Sequence, residues 1–73
     1  MGDVTRLFTA ALAAGRLEDK HPGVRQAALK VLAKMGSFAL LYVGAVEACR
    51  HDRVKFVRPS AKKALRKIKN CKA

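Results

Sequence analysis

Apolar residues recur along this chain at helical spacing in four separate stretches. From Asp3 to Leu17 they fall at Val4, Leu7, Phe8, Ala11, Leu12 and Gly15, one stripe of an α-helix, with Asp3 placed to cap its start. The stretch from Glu18 to Gly23 interrupts this pattern, and Pro22 suits the first turn of a second helix. That helix is predicted over Pro22 to Met35, with Val24, Ala27, Ala28, Val31, Leu32 and Met35 on its stripe. Gly36 stands where a left-handed C-cap belongs. Ser37 is then the expected N-cap of a third helix, Phe38 to Arg50, which is apolar nearly all round and so predicted to be buried. The fourth helix ends near Ile68, but its start admits two readings, because Pro59 lacks an amide hydrogen and disfavours a helical Arg58. It begins either at Val57 with Pro59 in its first turn, or at Pro59 after an extended Val54–Val57 segment. The tail, Asn70 to Ala73, is expected to fray.

The second and fourth helices are copies of one another. Sliding the sequence by 33 residues, without a gap, superposes Asp19 on Asp52, Val24 on Val57, Arg25 on Arg58 and Ala28 on Ala61. It also superposes Lys30 on Lys63, Leu32 on Leu65, Lys34 on Lys67 and, upstream, Leu7 on Leu40. A period of this length is the mark of stacked helical repeats, in which each unit buries its apolar face against a neighbour.

At Asp19…Val24-Arg25…Ala28…Leu32 and at Asp52…Val57-Arg58…Ala61…Leu65, the chain resembles the HEAT-repeat family, in its short-period, phycobilin-lyase-type form. The resemblance covers residues 3–69. It implies an all-α fold of two stacked antiparallel helical hairpins, a short α-solenoid of about four helices in a single domain, with one repeat at about 3–36 and the other at about 37–69. It further implies that Asp19, Arg25, Asp52 and Arg58 are structural residues that hold the inter-helix turns, with Arg25 reaching Asp52 as a link between repeats. Two departures set the second copy apart: Lys62 replaces the apolar Leu29, and Pro59 intrudes. Both suit a terminal cap with a polar outer face. Two repeats are fewer than the three or more that such arrays usually need. Docking on a neighbour, self-association or membership of a longer array would each make up the deficit.

Charge sharpens the picture. Sixteen basic and five acidic residues give a net charge of +11. Residues 1–36 hold six basic against three acidic, net +3, whereas residues 37–73 hold ten against two, net +8. Such a chain is drawn to acidic protein patches, nucleic acid or anionic lipid. On a wheel of the fourth helix, Val57, Ala61, Ala64, Leu65 and Ile68 share one arc, and Lys55, Arg58, Lys62, Lys63, Arg66, Lys67 and Lys69 fill the rest. No acidic residue lies between Val54 and Ala73 to relieve their repulsion. This face is the candidate surface for an acidic partner. The apolar third helix offers a second surface, with Phe38, Leu41, Tyr42 and Val46 as candidate protein-interface residues.

Catalysis finds little support, for no Gly-rich phosphate loop, nucleophile elbow or paired metal motif is present. No cofactor or metal is expected. Cys49 and His51, with Cys71 or His21, are poorly spaced for zinc, which takes ligands in close pairs. The two cysteines lack paired spacing, so reduced thiols in the cytoplasm or an organelle interior are expected. The longest apolar run, Phe38 to Cys49, contains Glu47 and falls short of the ~20 residues that span a bilayer. Met1 to Arg16 has the composition of a mitochondrial-type leader but also fits the repeat register as an ordinary first helix. The function expected is a non-catalytic scaffold for protein–protein interaction, a small basic subunit of a larger assembly. An RNA-associated component that contacts phosphates through the fourth helix is the alternative. By analogy with tubulin-binding HEAT arrays, the turns offer Lys20, His21, Arg53 and Lys55 as a minor third possibility.

Overall fold

The computed structural model describes residues 2–70. It is all-α: α1 (Asp3–Gly15), α2 (Pro22–Met35), α3 (Val43–Ala48) and α4 (Val57–Lys69) are joined through 3-10 segments at Arg16–Glu18, Gly36–Tyr42 and Cys49–His51. No strand occurs among the described residues. Of the tail, residues 71–73 lie outside this range.

Helix α2 has the predicted bounds, with Pro22 in its first turn, where a missing N–H costs nothing. Helix α4 begins at Val57, which decides between the two readings of its start: Pro59 lies in the first turn, among amides that have no intrahelical acceptor. Its buried residues are Val57, Ala61, Ala64, Leu65 and Ile68, the predicted arc.

The expectations for the first and third helices need correction. Asp3 is the first residue of α1 rather than its cap; Gly2 holds the cap position, and the Asp3 carboxylate instead complements the helix dipole. The third helix is not continuous from Phe38 to Arg50. Gly36 adopts φ 58°, ψ −121°, the chain proceeds as 3-10 turns to Tyr42, and only Val43–Ala48 is α-helical. Ser37 sits inside the 3-10 segment and makes no capping bond. A segment that is apolar all round carries no periodic signal to favour the α over the 3-10 turn. The stretch Pro22–His51 holds an 18-residue window of mean hydropathy 1.5, long and apolar enough by length and composition alone to cross a membrane, a test that the core helix of a soluble protein also passes. In the fold its helix is interrupted at Gly36.

The core is built from Leu29 and Leu32 of α2, Val46 of α3, and Val57 and Ile68 of α4, all inaccessible to solvent, with Ala10, Ala28, Ala39, Ala61 and Ala64 between them. Burying each of the larger side chains contributes about 1.5–3 kcal/mol. Leu29 lies off the predicted stripe. Helix α4 docks on that side of α2, so the core face is rotated away from Val24 and Val31, which are left exposed. The displacement is larger in α1. Ala10, Ala13 and, just beyond, Leu17 point inward, and Val4, Leu7, Phe8 and Leu12 point to solvent.

The two copies fold alike at their turns. Each first helix ends in a 3-10 turn, Arg16–Glu18 or Cys49–His51, and the following aspartate is extended, at φ −63°, ψ 147° for Asp19 and φ −58°, ψ 144° for Asp52. The Asp19 carboxylate accepts the His21 amide at 2.9 Å, and the Asp52 carboxylate accepts the Val54 amide at 2.8 Å. These are Asx turns, in which a short side chain stands in for backbone. Arg25 Nη1 donates to the carbonyls of Asp19 (2.7 Å) and Lys20 (3.2 Å). Arg58 donates to the matching pair, Asp52 (2.6 Å) and Arg53 (3.3 Å).

Candidate functional site

Helices α2 and α4 lie side by side. Gln26 Nε2 donates to Ser60 Oγ at 3.2 Å near their starts, and Lys34 and Lys67 line one groove near their ends, so the two run in the same direction. This pairing places sequence-equivalent residues across from one another. Lys30 and Lys34 form one wall of a groove of about 370 Å³, and Lys63 and Lys67 form the other. Its floor is apolar: Leu29, Ala33, Pro59 and Ala64. On each helix the lysines are four residues apart, a rise of about 6 Å. No ion pair among the described residues involves any of the four. The groove is therefore a concave surface with four positive charges over an apolar floor. It presents point charges rather than planar forks, which suits carboxylates or phosphates whose exact orientation is left free.

The predicted basic face divides when placed on the structure. Lys62, Lys63 and Arg66 flank Pro59 on a shallow surface on the outer side of α4, and Lys63 belongs to this surface and to the groove. Lys67 lies in the groove, and Lys55 is exposed in the turn before α4. Arg58 is occupied with the turn carbonyls, and Lys69 pairs with Glu47 at 3.7 Å, where Arg50 also binds. That pairing holds the Glu47 carboxyl below its usual range, through Arg50 first and then Lys69. Arg58 is thus engaged in its own turn, while Lys69, in a solvent-exposed pair, keeps most of its side chain accessible. Sequence reasoning missed Lys30 and Lys34, although their alignment with Lys63 and Lys67 at the 33-residue shift was the signal that could have found them.

The apolar candidates fare differently. Val46 is fully buried in the core, so it is not an interface residue. Phe38 and Tyr42 are half-buried and pack against the core, with the Arg6 guanidinium 5.6 Å from the Phe38 ring centroid. Leu41 alone of the four is exposed.

A larger pocket of about 510 Å³ opens between the two Asp turns. Its centre is an ion pair: Arg25 Nε donates to Asp52 Oδ2 at 2.7 Å and Nη2 to Oδ1 at 2.9 Å. This bidentate bond is the main reason the Asp52 carboxyl is held below the usual carboxylate range and the Arg25 guanidinium above its own. With Nη1 bound to Asp19 and Lys20, each of the three guanidinium nitrogens already has a partner. Lys20 and Arg53 line this pocket; His21 and Lys55 do not. Cys49 is buried nearby, and desolvation raises its thiol above the usual value. No three His, Cys, Asp or Glu side chains converge among the described residues, and Cys71 lies outside them.

Comparison with known proteins yields no matching family model, no matching curated protein and no matching solved structure.

Proposed function

We propose that the chain is a non-catalytic interaction module that docks on an acidic protein surface through the groove between α2 and α4, as a small basic subunit of a larger assembly. The observation that carries this reading is the convergence of Lys30, Lys34, Lys63 and Lys67 on one concave surface with no acid opposing them among the described residues. Four like charges at close range destabilise the free fold, and an acidic partner relieves them. The architecture behind the site is read as two HEAT-like hairpins, α1–α2 and α3–α4, stacked as a short solenoid. The repeated Asp turns and the repeated arginine-to-carbonyl bonds support that reading. A buried Cys49 with a raised pKa behaves as a small hydrophobe and suits a reducing compartment.

The test is binding to poly-glutamate and to generic RNA at low salt, by fluorescence anisotropy, for the wild type and a Lys34→Glu/Lys67→Glu variant. The proposal expects poly-glutamate to bind the wild type and the variant to lose at least tenfold in affinity. Equal affinities would remove the groove from the site. The lysine ladder also favours a second reading, contact with the phosphate backbone of RNA, because point charges grip phosphates without reading bases. That reading requires tighter binding to RNA than to poly-glutamate, with log affinity falling steeply against log salt.

A further inference from the structure

The first helix is turned the wrong way for a monomer. Val4, Leu7, Phe8 and Leu12 are 79%, 44%, 65% and 57% exposed, and between Val4 and Gly15 no charged residue interrupts their stripe, because Arg6 points to the Phe38 side. The surface continues across a groove of about 380 Å³ between α1 and α2, lined by Leu12, Val24, Ala27 and Val31 together with Thr9 and the exposed Arg16. Together these residues offer on the order of 500 Å² of apolar surface. That lies within the about 300–600 Å² that ordinary monomers expose in their largest patch, which is often a functional one, and is about two thirds of the ~800 Å² per partner of a standard interface.

The repeat identifies what this face lacks. Val57 and Ala64 of α4 are 0% and 1% exposed, whereas their equivalents at the 33-residue shift, Val24 and Val31, are 37% and 38% exposed. A head-to-tail copy would fill the gap with the outer face of α4. That face carries Lys62, Lys63 and Arg66, whose charges would be stripped of water against valine and leucine. A two-fold arrangement, in which the same face meets itself, keeps those three charges in water.

The pattern along α1 fits that symmetry. Phe8 is large, and Ala11 and Gly15 are the small residues on the same side of the helix. When two such helices pack antiparallel, each Phe8 reaches the gap left by Ala11 and Gly15 of the other. Within one chain nothing demands a glycine there: a Cβ on Gly15 would meet no atom within 4 Å. The molecule measures 35 × 23 × 15 Å across its principal axes, about two helix layers in depth. Pairing through α1 doubles the apolar layer and keeps the two strongly basic halves, net +8 each, on opposite outer sides.

We infer that the chain forms a two-fold dimer through the α1 stripe and the α1–α2 groove. Sedimentation velocity on the full chain between 1 and 500 µM tests it. The expected result is a concentration-dependent species of twice the chain mass, at which the series stops. Phe8→Asp weakens it at least a hundredfold, and circular dichroism verifies that this exposed site still folds. Gly15→Gln favours the isolated helix yet blocks the gap, so it weakens the dimer at least tenfold without lowering the melting temperature of the dilute protein. Lys62→Glu/Arg66→Glu leaves association unchanged. A wild type that stays monomeric at 500 µM overturns the inference, as does an open series of higher oligomers. So does association abolished by the Lys62/Arg66 changes and spared by Phe8→Asp.

Discussion

Asp19 and Asp52 occupy the same position in the two copies of the sequence, yet replacing them should have very different effects. Asp19→Ala removes one acceptor, for the His21 amide, in an exposed turn. The ion pair to Arg16, at 3.9 Å with the arginine 70% exposed, adds next to nothing. The expected cost is about 0.5–1 kcal/mol. Asp52→Ala removes the acceptor of the Val54 amide and both bonds from Arg25, in a pair whose side chains are only 14% and 9% exposed. Charge-assisted bonds contribute about 1.5–3 kcal/mol each, but Arg25 keeps its two carbonyl partners and is not stranded. The expected cost is therefore about 2–3 kcal/mol, a large share of the ~4–11 kcal/mol typical of a chain this size. Thermal melts followed by circular dichroism should register a drop of about 10–20 °C for Asp52→Ala against a few degrees for Asp19→Ala. The pH dependence adds a second readout. The folded pKa of Asp52 lies below its unfolded value, so its stabilisation is complete above the unfolded value of ~3.9 and is lost as pH falls through the folded one. Asp52→Ala should flatten that part of the acid-unfolding curve. Equal destabilisation by the two variants would refute the argument, because the tertiary bond to Arg25 is what separates them.

Other substitutions probe the packing and the site. Leu29→Ala, at a fully buried position, should cost about 2–5 kcal/mol in chemical denaturation, whereas Leu41→Ala, 78% exposed, should stay within about 0.5 kcal/mol. Gly36→Ala places a side chain at φ 58°, ψ −121° and should cost about 1–3 kcal/mol, read from the urea midpoint. Lys34→Glu/Lys67→Glu should lower poly-glutamate affinity at least tenfold without lowering the melting temperature, since all four groove lysines are exposed and the change relieves their mutual repulsion. Phe8→Asp should convert a sedimenting dimer to monomer at unchanged helicity.

The sequence by itself determined the helical class, the bounds of α2 and the inward arc of α4, and the resemblance of its two copies to a known repeat implied the two Asp turns. Each of these rests on local physics. A proline sets a first turn, an aspartate closes its own turn through the amide two residues on, and a strongly two-sided helix such as α4 has one face that water will not tolerate. The role of Arg58 in its turn was legible for the same reason, through its likeness to Arg25. Where the local signal was flat or two-valued, the sequence had less to say. The run from Phe38 to Arg50 is apolar on every side, so no periodicity selected a helix type, and Val46 could not be told from Leu41 until one was buried and the other exposed. Helix α1 carries a clear stripe, but periodicity names an apolar face without naming what covers it. The Arg25–Asp52 link was already implied by the resemblance of the two copies to a known repeat. Only the tertiary structure decided that α4 covers Leu29 rather than Val24 and Val31, and that Lys30 and Lys34 stand opposite Lys63 and Lys67. Those outcomes depend on the relative placement of whole helices, which is set by the summed packing of the core and not by any residue's own preference.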